Sequence, residues 1–276
     1  MLAPHHEQES LMAPSLAPSL EWMKLTAAEV QAEADADALL IIPVASLEQH
    51  GPALVTGTDM ILGGNVALET ARRLVEAGHR TLVTPVVWHG LAEHHMAFGG
   101  TVTLDSATFQ AVLRHVVKSA SRHGFKRVFL LNGHGGNAEA IGTAATDFAV
   151  EFGIRVGGGT YWHMVPEVIA PLLEDQPTLM HACEAETSMV WHLLPEGVRQ
   201  EKLPEAHGPS SSRAPGQPAG LLMRRSFREI TPSGVVGDAR RASPEKGEAL
   251  LAAISTKCAE LLANPAIWGK GLTSGG

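Results

Sequence analysis

Carboxylate and imidazole side chains are concentrated in a short polar segment that follows the first strongly apolar run of the chain. This segment reads Ser46-Leu-Glu-Gln-His-Gly51, and Asp59 follows nine residues after His50. Glu48 and His50 are two residues apart, so both side chains leave the same face if the segment is extended. A carboxylate and an imidazole that converge in this way suit a divalent cation such as zinc or manganese. Structural alternatives remain open, because Glu48 and His50 could belong to a loop surface and Asp59 could cap a helix.

A second candidate ligand lies in a glycine-rich turn. The segment Asn132-Gly-His-Gly-Gly-Asn137 follows another short apolar run, and its glycines let the backbone turn sharply and approach a ligand closely. Glycine-rich turns before helices also bind phosphates. This one matches neither the dinucleotide-binding fingerprint nor the P-loop, and it contains no lysine. The pattern therefore favours His134 as a metal ligand.

A third segment combines a histidine, a cysteine and two carboxylates. It reads His181-Ala-Cys-Glu-Ala-Glu-Thr-Ser188 and leads into a predicted helix. Glu184 and Glu186 are candidate metal ligands at the start of that helix, and His181 is a candidate proton shuttle. The alternative for the two glutamates is that they only complement the helix dipole. Cys183 could be a thiolate ligand or a nucleophile, although a small buried side chain is its more ordinary role.

Two adjacent histidines occur in the segment that follows the second apolar run. The spacing of His94 and His95 does not distinguish a metal ligand from a loop that lines a cleft. We predict that both residues lie beside the metal ligands or on the substrate side of the site.

The polar segments alternate with apolar runs and amphipathic stretches, a pattern typical of an α/β fold. Short apolar runs predict strands buried on both faces, and apolar residues at helical spacing predict helices between them. This alternation favours a mostly parallel sheet sandwiched between helix layers. Because ligands of open parallel sheets bind at the carboxyl ends of the strands, the polar segments should meet at one edge. The predicted strands are 38–45, 81–87, 127–131 and 154–158, and the predicted helices are 60–78, 106–124, 138–152, 184–194 and 245–262.

Local signals also predict where the helices and the domain begin and end. Ser106 is the predicted N-cap of the second helix, and Gly78 is predicted to lie just after the first. Residues 1–20 are rich in proline, serine and alanine and are predicted to form a flexible N-terminal arm. Residues 21–276 are then expected to form a single domain, with a surface loop at 207–220.

The composition restricts the class of protein further. The 276 residues carry a formal net charge of −8 at pH 7, which disfavours nucleic acid and anionic membranes as partners, since phosphate contacts need a basic face. The longest mainly apolar stretch, 38–45, is far shorter than the ~20 residues that a membrane span needs. Two cysteines cannot form a disulfide framework, and the first residues lack the pattern of a secretory signal. We therefore expect a cytoplasmic protein.

Taken together, the motifs resemble those of the creatininase (creatinine amidohydrolase) family. Pro43-x-x-Ser46-x-Glu-Gln-His-Gly51 with Thr58-Asp59, the glycine-rich turn, and His181-x-x-x-x-Glu186-Thr-Ser occur in the family's order. The likeness extends over roughly residues 25–260. It implies a creatininase-like α/β/α fold, two divalent cations (Zn²⁺ and/or Mn²⁺), hydrolysis of C–N bonds in cyclic or linear amides, and assembly into a homohexamer.

The resemblance also implies roles for individual residues. It implies that Asp59 bridges the two cations, that His181 is the catalytic histidine, and that Trp162 lines the substrate pocket. The metal ligands that it implies are Glu48, His50, Asp59, His134 and Glu186.

Three features depart from the pattern of creatininase. Gly135 and Gly136 stand where creatininase has a Tyr-Glu pair, and Pro177 stands where it has a tryptophan. Cys183 occupies a position that is usually glycine. These departures concern the substrate more than the chemistry, and they argue against creatinine itself.

We therefore predict a metal-dependent hydrolase that acts on a non-peptide C–N bond, in a small cyclic or linear amide. Two cations bridged by Asp59 would lower the pKa of a water molecule towards neutrality, and His181 would protonate the leaving nitrogen. A peptidase or lactone hydrolase that uses the same site is one alternative. A non-catalytic protein that binds metal or phosphate is another.

Overall fold

Four parallel strands form the central sheet of the protein. The computed structural model describes residues 18–174, 176–218, 220–269 and 271–272. The two central strands pair along their whole length, with Val44 opposite Asn132. This register places their carboxyl ends side by side at one edge of the sheet. The strands are β1 (Leu39–Val44), β2 (Thr81–Val83), β3 (Arg127–Asn132) and β4 (Arg155–Thr160), in the order β2-β1-β3-β4.

Helices surround this sheet. The longer ones are α1 (Ala27–Asp35), α2 (Thr58–Glu76), α3 (Ser106–Arg122), α4 (Ala138–Phe152), α7 (Glu184–Leu193) and α9 (Pro244–Ala263). The single-turn helices are α5 (Tyr161–Met164), α6 (Pro166–Ile169), α8 (Phe227–Ile230) and α10 (Pro265–Trp268).

The helices cover both faces of the sheet, as the alternation in the sequence predicts. Successive residues of β1 point to opposite faces. Leu39 and Ile41 belong to an apolar cluster with α2, α7 and α9, whereas Leu40 and Ile42 belong to a cluster with α1, α3 and α4. All of β1 is therefore buried, which explains its unbroken apolar sequence. The prediction of a mostly parallel sheet between two helix layers is confirmed.

The N-cap of α3 differs from its prediction by one residue. The Asp105 carboxylate accepts a hydrogen bond from the Thr108 N–H (2.7 Å), so Asp105 is the N-cap and Ser106 is the first helical residue. The predicted cap was wrong because both residue types favour this position and only the backbone decides between them. The end of α2 agrees with its prediction, since Gly78 follows the helix with φ 87°.

Two further elements differ from the predicted pattern. β2 ends at Val83 rather than at Val87, because Pro85 has no N–H to donate to a strand ladder. α1 is absent from the predicted helices because its buried apolar stripe consists only of Val30 and Ala34, too short a pattern to indicate a helix by periodicity.

The predicted N-terminal arm, residues 1–20, lies outside the described residues as far as position 17. In the described part of the chain, no helix combines the length and the apolar character needed to cross a bilayer.

Candidate metal centre

The polar segments meet at the edge of the sheet formed by the carboxyl ends of β1 and β3. Glu48 and His50 follow β1, and His134 follows β3. Asp59 lies in the first turn of α2, and Glu186 lies in the first turn of α7. All five residues are buried, with at most 3% of any one exposed. The fold therefore brings together residues that are far apart in the chain, as the position of their segments after the strands predicts.

Asp59 lies between two groups of possible ligand atoms. Its Oδ1 is 3.1 Å from His50 Nε2, which is 3.9 Å from Glu186 Oε2. Its Oδ2 is 3.0 Å from His134 Nδ1, which is 3.0 Å from Glu48 Oε2. Within each group of three residues, the ligand atoms lie within 4.8 Å of one another. The two carboxylate oxygens of Asp59 thus face two separate sites.

Backbone carbonyls determine which nitrogen of each histidine faces the carboxylates. His50 Nδ1 is 3.1 Å from the Glu48 carbonyl oxygen, and His134 Nε2 is 3.2 Å from the Leu91 carbonyl oxygen. A carbonyl oxygen can only accept, so these two nitrogens carry hydrogen and donate it. The other nitrogen of each ring is then directed at the carboxylates, as in histidines that bind metal ions.

The facing atoms fit a cation better than they fit one another. For Glu48 Oε2, His50 Nε2 and Asp59 Oδ2, which are buried, the described residues supply no partner in hydrogen-bond geometry, although ring nitrogens and carboxylate oxygens approach one another closely. Carboxylates brought together in a buried site repel one another and are costly unless a cation or protons lie between them. Carboxylate oxygen and imidazole nitrogen are the ligand types that zinc and manganese accept. The residues therefore fit two divalent cations, one on either side of Asp59.

Without a bound cation, several buried side chains of this cluster have pKa values that favour protonation. Burial lowers the pKa of His50, but the carboxylates of Asp59, Glu186 and Glu48 outweigh it and raise the value to about 9. Burial also lowers the pKa of His134, but the Glu48 and Asp59 carboxylates outweigh it and raise the value to about 10. Burial raises the pKa of Glu186 to about 8. Both imidazoles are thus protonated at neutral pH until a cation displaces the protons.

His181 lies beside this cluster. Its Nε2–H donates to the Gln49 carbonyl oxygen (2.9 Å), so Nδ1 is the nitrogen that faces Glu48 Oε1, at 3.6 Å. Burial and the neighbouring His50 hold the pKa of His181 well below its usual value, so the ring is neutral at pH 7. His181 also forms a third possible ligand group with Glu48 and His50.

Gln49, which the sequence analysis did not single out, connects these residues. The Gly51 N–H donates to Gln49 Oε1 (2.9 Å), which fixes the orientation of the amide. Gln49 Nε2 then donates to His95 Nδ1 (2.9 Å), and His95 Nε2 lies 3.2 Å from Glu48 Oε1. His95 therefore orients the Glu48 carboxylate. Its position between two candidate ligands, Glu48 and His50, is the one feature of the sequence that could have indicated a role for Gln49.

Glu186 is held by an unusual backbone. Ala182 has φ 53°, a left-handed conformation that is unfavourable for a residue with a Cβ atom. In this conformation the Ala182 N–H donates to Glu186 Oε2. The backbone between His181 and α7 thus orients the Glu186 carboxylate towards His50.

Two residues of the same segment do not join the cluster. Glu184 accepts hydrogen bonds from the Lys246 ammonium group and from the Glu174 N–H, so its carboxylate is directed away from the cluster. Cys183 is buried, its Sγ accepts a hydrogen bond from the Met180 N–H (3.3 Å), and burial raises the pKa of its thiol to about 12. Cys183 is thus a buried thiol, as its more ordinary interpretation predicts, and Glu184 is a structural residue.

Gly136 has a steric reason to be glycine. A Cβ atom at this position would lie 2.2 Å from the Leu91 carbonyl oxygen and 2.3 Å from His134 Nε2. It would therefore break the hydrogen bond that orients His134. The same Cβ atom would lie 2.9 Å from His94 Cε1. The His94 ring centroid is 5.7 Å from that of His134, and burial lowers the pKa of His94 to about 3.

A cavity of about 700 Å³ opens over the cluster. Trp162 and His94 form part of its wall close to His134. The outer wall comes from two segments, 210–213 and 220–225, that lie within or next to the predicted surface loop. Cavities of this size hold ligands considerably larger than a single amide group.

An α/β fold with buried carboxylates and histidines at the strand ends, open to a cavity, is typical of metal-dependent hydrolases. The profile of the creatininase family, described as creatinine amidohydrolase, matches residues 23–262. The chain therefore belongs to the creatininase family, as the resemblance of its motifs predicts.

Several characterised relatives are similar over most of the chain. A creatinine amidohydrolase of Pseudomonas putida is 30% identical over 83% of this chain and 90% of its own length. A mycofactocin precursor peptide peptidase of Mycolicibacterium smegmatis is 29% identical, over 80% of this chain and 83% of its own. A 3-dehydro-scyllo-inosose hydrolase of Thermotoga maritima is 31% identical, over 76% of this chain and 72% of its own length.

Solved structures of creatininase superpose on this fold. One crystal structure has a TM-score of 0.73 at 28% identity and covers 88% of this chain and 96% of its own. A structure described as creatininase Mn has a TM-score of 0.72, and a variant of Zn–Zn type has 0.71, both at 28% identity and the same coverage. Manganese and zinc are thus both found in structures of close fold.

Proposed function

We propose that this protein hydrolyses a C–N bond of an amide with the help of two divalent cations bound beside Asp59. The observation that carries this proposal is that the two oxygens of Asp59 face two separate groups of ligand atoms. Glu48 and His134 would complete one site, and His50 and Glu186 would complete the other. The creatininase structures with manganese and of Zn–Zn type support this assignment.

Two divalent cations held by these residues would polarise an amide carbonyl and would lower the pKa of a water molecule towards neutrality. With cations bound, the chain would contribute three carboxylates and two imidazole rings, neutral once their protons are displaced, to the cluster. The carboxylates offset most of the positive charge, so the loaded site is only weakly cationic. This balance favours a reaction in which negative charge develops on the amide oxygen.

His181 is the residue proposed to move protons. Its Nε2–H is held by the Gln49 carbonyl oxygen, so Nδ1 is the atom available to the reacting groups. A neutral ring can accept a proton from the attacking water at Nδ1 and then deliver it to the amide nitrogen. That delivery matters because an amide anion is a very poor leaving group.

Trp162 and His94 are proposed to contact the substrate, since both line the cavity over the cluster. His95 is proposed to position Glu48 instead, because it is buried behind that carboxylate. The homohexamer and the cytoplasmic location stay predictions.

Metal analysis of the purified protein tests the proposed function. We expect about two divalent ions per chain, as a two-cation site requires. Chelation should abolish hydrolysis in a screen of formamides, cyclic ureides, lactams and short peptides, and Mn²⁺ or Zn²⁺ should restore it. Full activity in exhaustively demetallated protein would contradict the proposal, and bound metal without any turnover would favour a non-catalytic role.

A peptidase on the same site is the second candidate. The cavity of about 700 Å³ is larger than a small cyclic amide requires, and the relative from Mycolicibacterium smegmatis is named as a peptide peptidase. The same screen distinguishes the two candidates, because turnover of short peptides but not of formamides or lactams would favour the peptidase.

Binding of the cations is expected to release at least about two protons per chain at pH 7.5. His50 and His134, with pKa values raised to about 9 and about 10, are protonated at that pH without metal, and only their neutral rings bind a cation. Proton release should therefore fall, and apparent metal affinity should rise, as the pH increases through 9 to 10. Calorimetric titration in two buffers of different ionisation enthalpy measures the release. A binding heat that does not depend on the buffer would contradict it.

Replacing Gln49 with leucine is expected to weaken binding of the cation beside Glu48 by about 10–100-fold, the usual effect of losing an outer partner of a ligand. The variant removes the hydrogen bond that holds His95 against Glu48. Gln110→Leu is a matched control, since Gln110 donates to the Ala140 carbonyl oxygen, in the helix layer on the opposite face of the sheet from α2. Competition with a chelator of known affinity gives the constants. Equal affinities for wild type and Gln49→Leu would show that this contact has no role.

A further inference from the structure

The outer part of the cavity is positively charged, in a protein of net charge −8. Apart from the buried cluster, the Asp, Glu, Lys and Arg residues that line the cavity among the described residues are Arg213, Arg224, Arg225 and Glu139. Three cations thus face one anion at the entrance. Once the cluster is loaded with cations, its carboxylates no longer oppose this field. A cavity with such a lining attracts anionic ligands.

Arg224 contacts the glycine-rich turn that carries His134. Its Nη2 donates to the carbonyl oxygen of Gly135, the residue next to His134, at 3.2 Å. The same nitrogen donates to Glu139 Oε2 at 2.8 Å. These two contacts hold the guanidinium over the glycine-rich turn, at the boundary between the buried cluster and the outer cavity.

The bond between Arg224 and Glu139 can give way to a ligand. The side chains of the two residues are 44% and 56% exposed, and ion pairs this exposed contribute little stability. Both contacts use Nη2. Within the described residues the guanidinium therefore keeps further N–H donors for a carboxylate or a phosphate, which arginine binds with a fork of parallel hydrogen bonds.

The neighbouring residues indicate what else such a ligand contains. Leu221, Leu222 and Met223 precede Arg224, line the same cavity, and are 48%, 58% and 64% exposed. Consecutive exposed apolar side chains at a cavity wall favour an apolar part of a ligand. Arg213, on the other outer segment, is exposed and forms no ion pair within the described part of the chain, so its charge is available to the cavity.

We propose that the amide substrate carries an anionic group, a carboxylate or a phosphate, which Arg224 binds at the entrance of the cavity while the amide lies over the cluster. Arg213 adds to the attraction, and the apolar residues before Arg224 contact the chain between the two groups. This inference rests on the proposed function, since the amide is placed by the cations. It makes Arg224 a residue that determines substrate specificity.

Hydroxamates test this inference without a known substrate, because the hydroxamate group binds to metal ions. The probes are acetohydroxamate, which is otherwise neutral, succinate monohydroxamate, which adds a carboxylate, and phosphonoacetohydroxamate, which adds a phosphonate. We expect calorimetry on the metal-loaded protein at low salt to show about tenfold tighter binding of one anionic probe than of the neutral one, the gain of a charged hydrogen-bonded pair. The anionic probe that binds more tightly shows whether the site prefers a carboxylate or a phosphate group.

The variants Arg224→Gln, Arg224→Lys and Arg72→Gln complete the experiment. Arg224→Gln should bring the dissociation constants of acetohydroxamate and of the preferred anionic probe close to equality. Arg224→Lys should keep part of the preference for the anionic probe, because lysine retains the charge but not the forked geometry. Arg72→Gln is the matched control: Arg72 is 52% exposed, pairs with Glu69 on α2, and does not line the cavity. The Arg72→Gln variant should keep the full, about tenfold preference for the anionic probe.

The outcomes separate the inference from the function on which it rests. If acetohydroxamate binds but neither anionic probe binds more tightly, or if Arg224→Gln leaves the preference for an anionic probe unchanged, the inference is overturned and the metal site stands. If no hydroxamate binds and the protein holds no metal, the proposed function fails and the inference fails with it. An anionic preference that disappears in Arg224→Gln and persists in Arg72→Gln supports it.

Discussion

Replacing Asp59 with asparagine is expected to remove both cations from the protein and to abolish hydrolysis. Each oxygen of Asp59 faces one of the two ligand groups, so the substitution removes a charged ligand from both sites at once. An amide also places two hydrogens where a cation should lie, which adds repulsion. Metal-ion stabilisation of the transition state amounts to several kcal/mol, so the rate should fall by about 10³-fold or more.

Elemental analysis beside turnover measures this effect. Asp35→Asn is the matched control, because Asp35 is an exposed carboxylate at the end of α1 and accepts a hydrogen bond from Gln31. The control should keep about two ions per chain and full activity. Loss of only one ion from Asp59→Asn would show that the oxygen retained by the amide is enough for the other site, and retention of both would refute the proposed role of Asp59.

Replacing His181 with alanine is expected to leave the metal content close to normal and to slow hydrolysis by about 10²–10⁴-fold, the usual contribution of a general acid or base. His181 is not held between two carboxylates, and its Nδ1 is 3.6 Å from Glu48. His134 lies 3.0 Å from carboxylates of both Glu48 and Asp59. His134→Ala should therefore lose metal as well as activity.

Substrates with different leaving groups sharpen this comparison. An amide whose nitrogen leaves easily needs less help from a proton donor, so His181→Ala should be slowed least on such substrates. No such rescue is expected for His134→Ala. If His181→Ala empties the site and His134→Ala does not, the roles of the two histidines are the reverse of those proposed, as the third possible ligand group would allow.

Most of the fold could be predicted from local patterns in the sequence. The apolar run of β1 is buried on both faces, so every residue in it must be apolar and the strand is visible without knowledge of its neighbours. The helices that follow bury one stripe and expose another, which gives them a readable period. The errors, at Ser106, at the end of β2 and at α1, fall on boundaries and on a short helix, where few residues carry the signal.

The tertiary structure alone determined the orientation of the ligands. Leu91 is 43 residues away from His134 in the chain, yet its carbonyl oxygen decides which nitrogen of that ring faces the carboxylates. Gln49 acts through His95, which is contributed by another loop. Such contacts arise only when segments from different strand ends pack together, so no local pattern records them.

By itself the sequence determined which residue types meet at the edge of the sheet, because the position of each motif directly after a predicted strand is a local property and the carboxyl ends of parallel strands share one edge. It could not decide between Glu184 and Glu186. Residues two apart on a helix point about 200° apart around its axis, so only one of the pair can face the cluster. The packing of α7 against α9 settles the choice: Lys246 binds Glu184 on one side, and Glu186 is left facing His50 on the other. The rotation of a helix about its own axis is fixed by its neighbours, which is why the structure was needed to decide it.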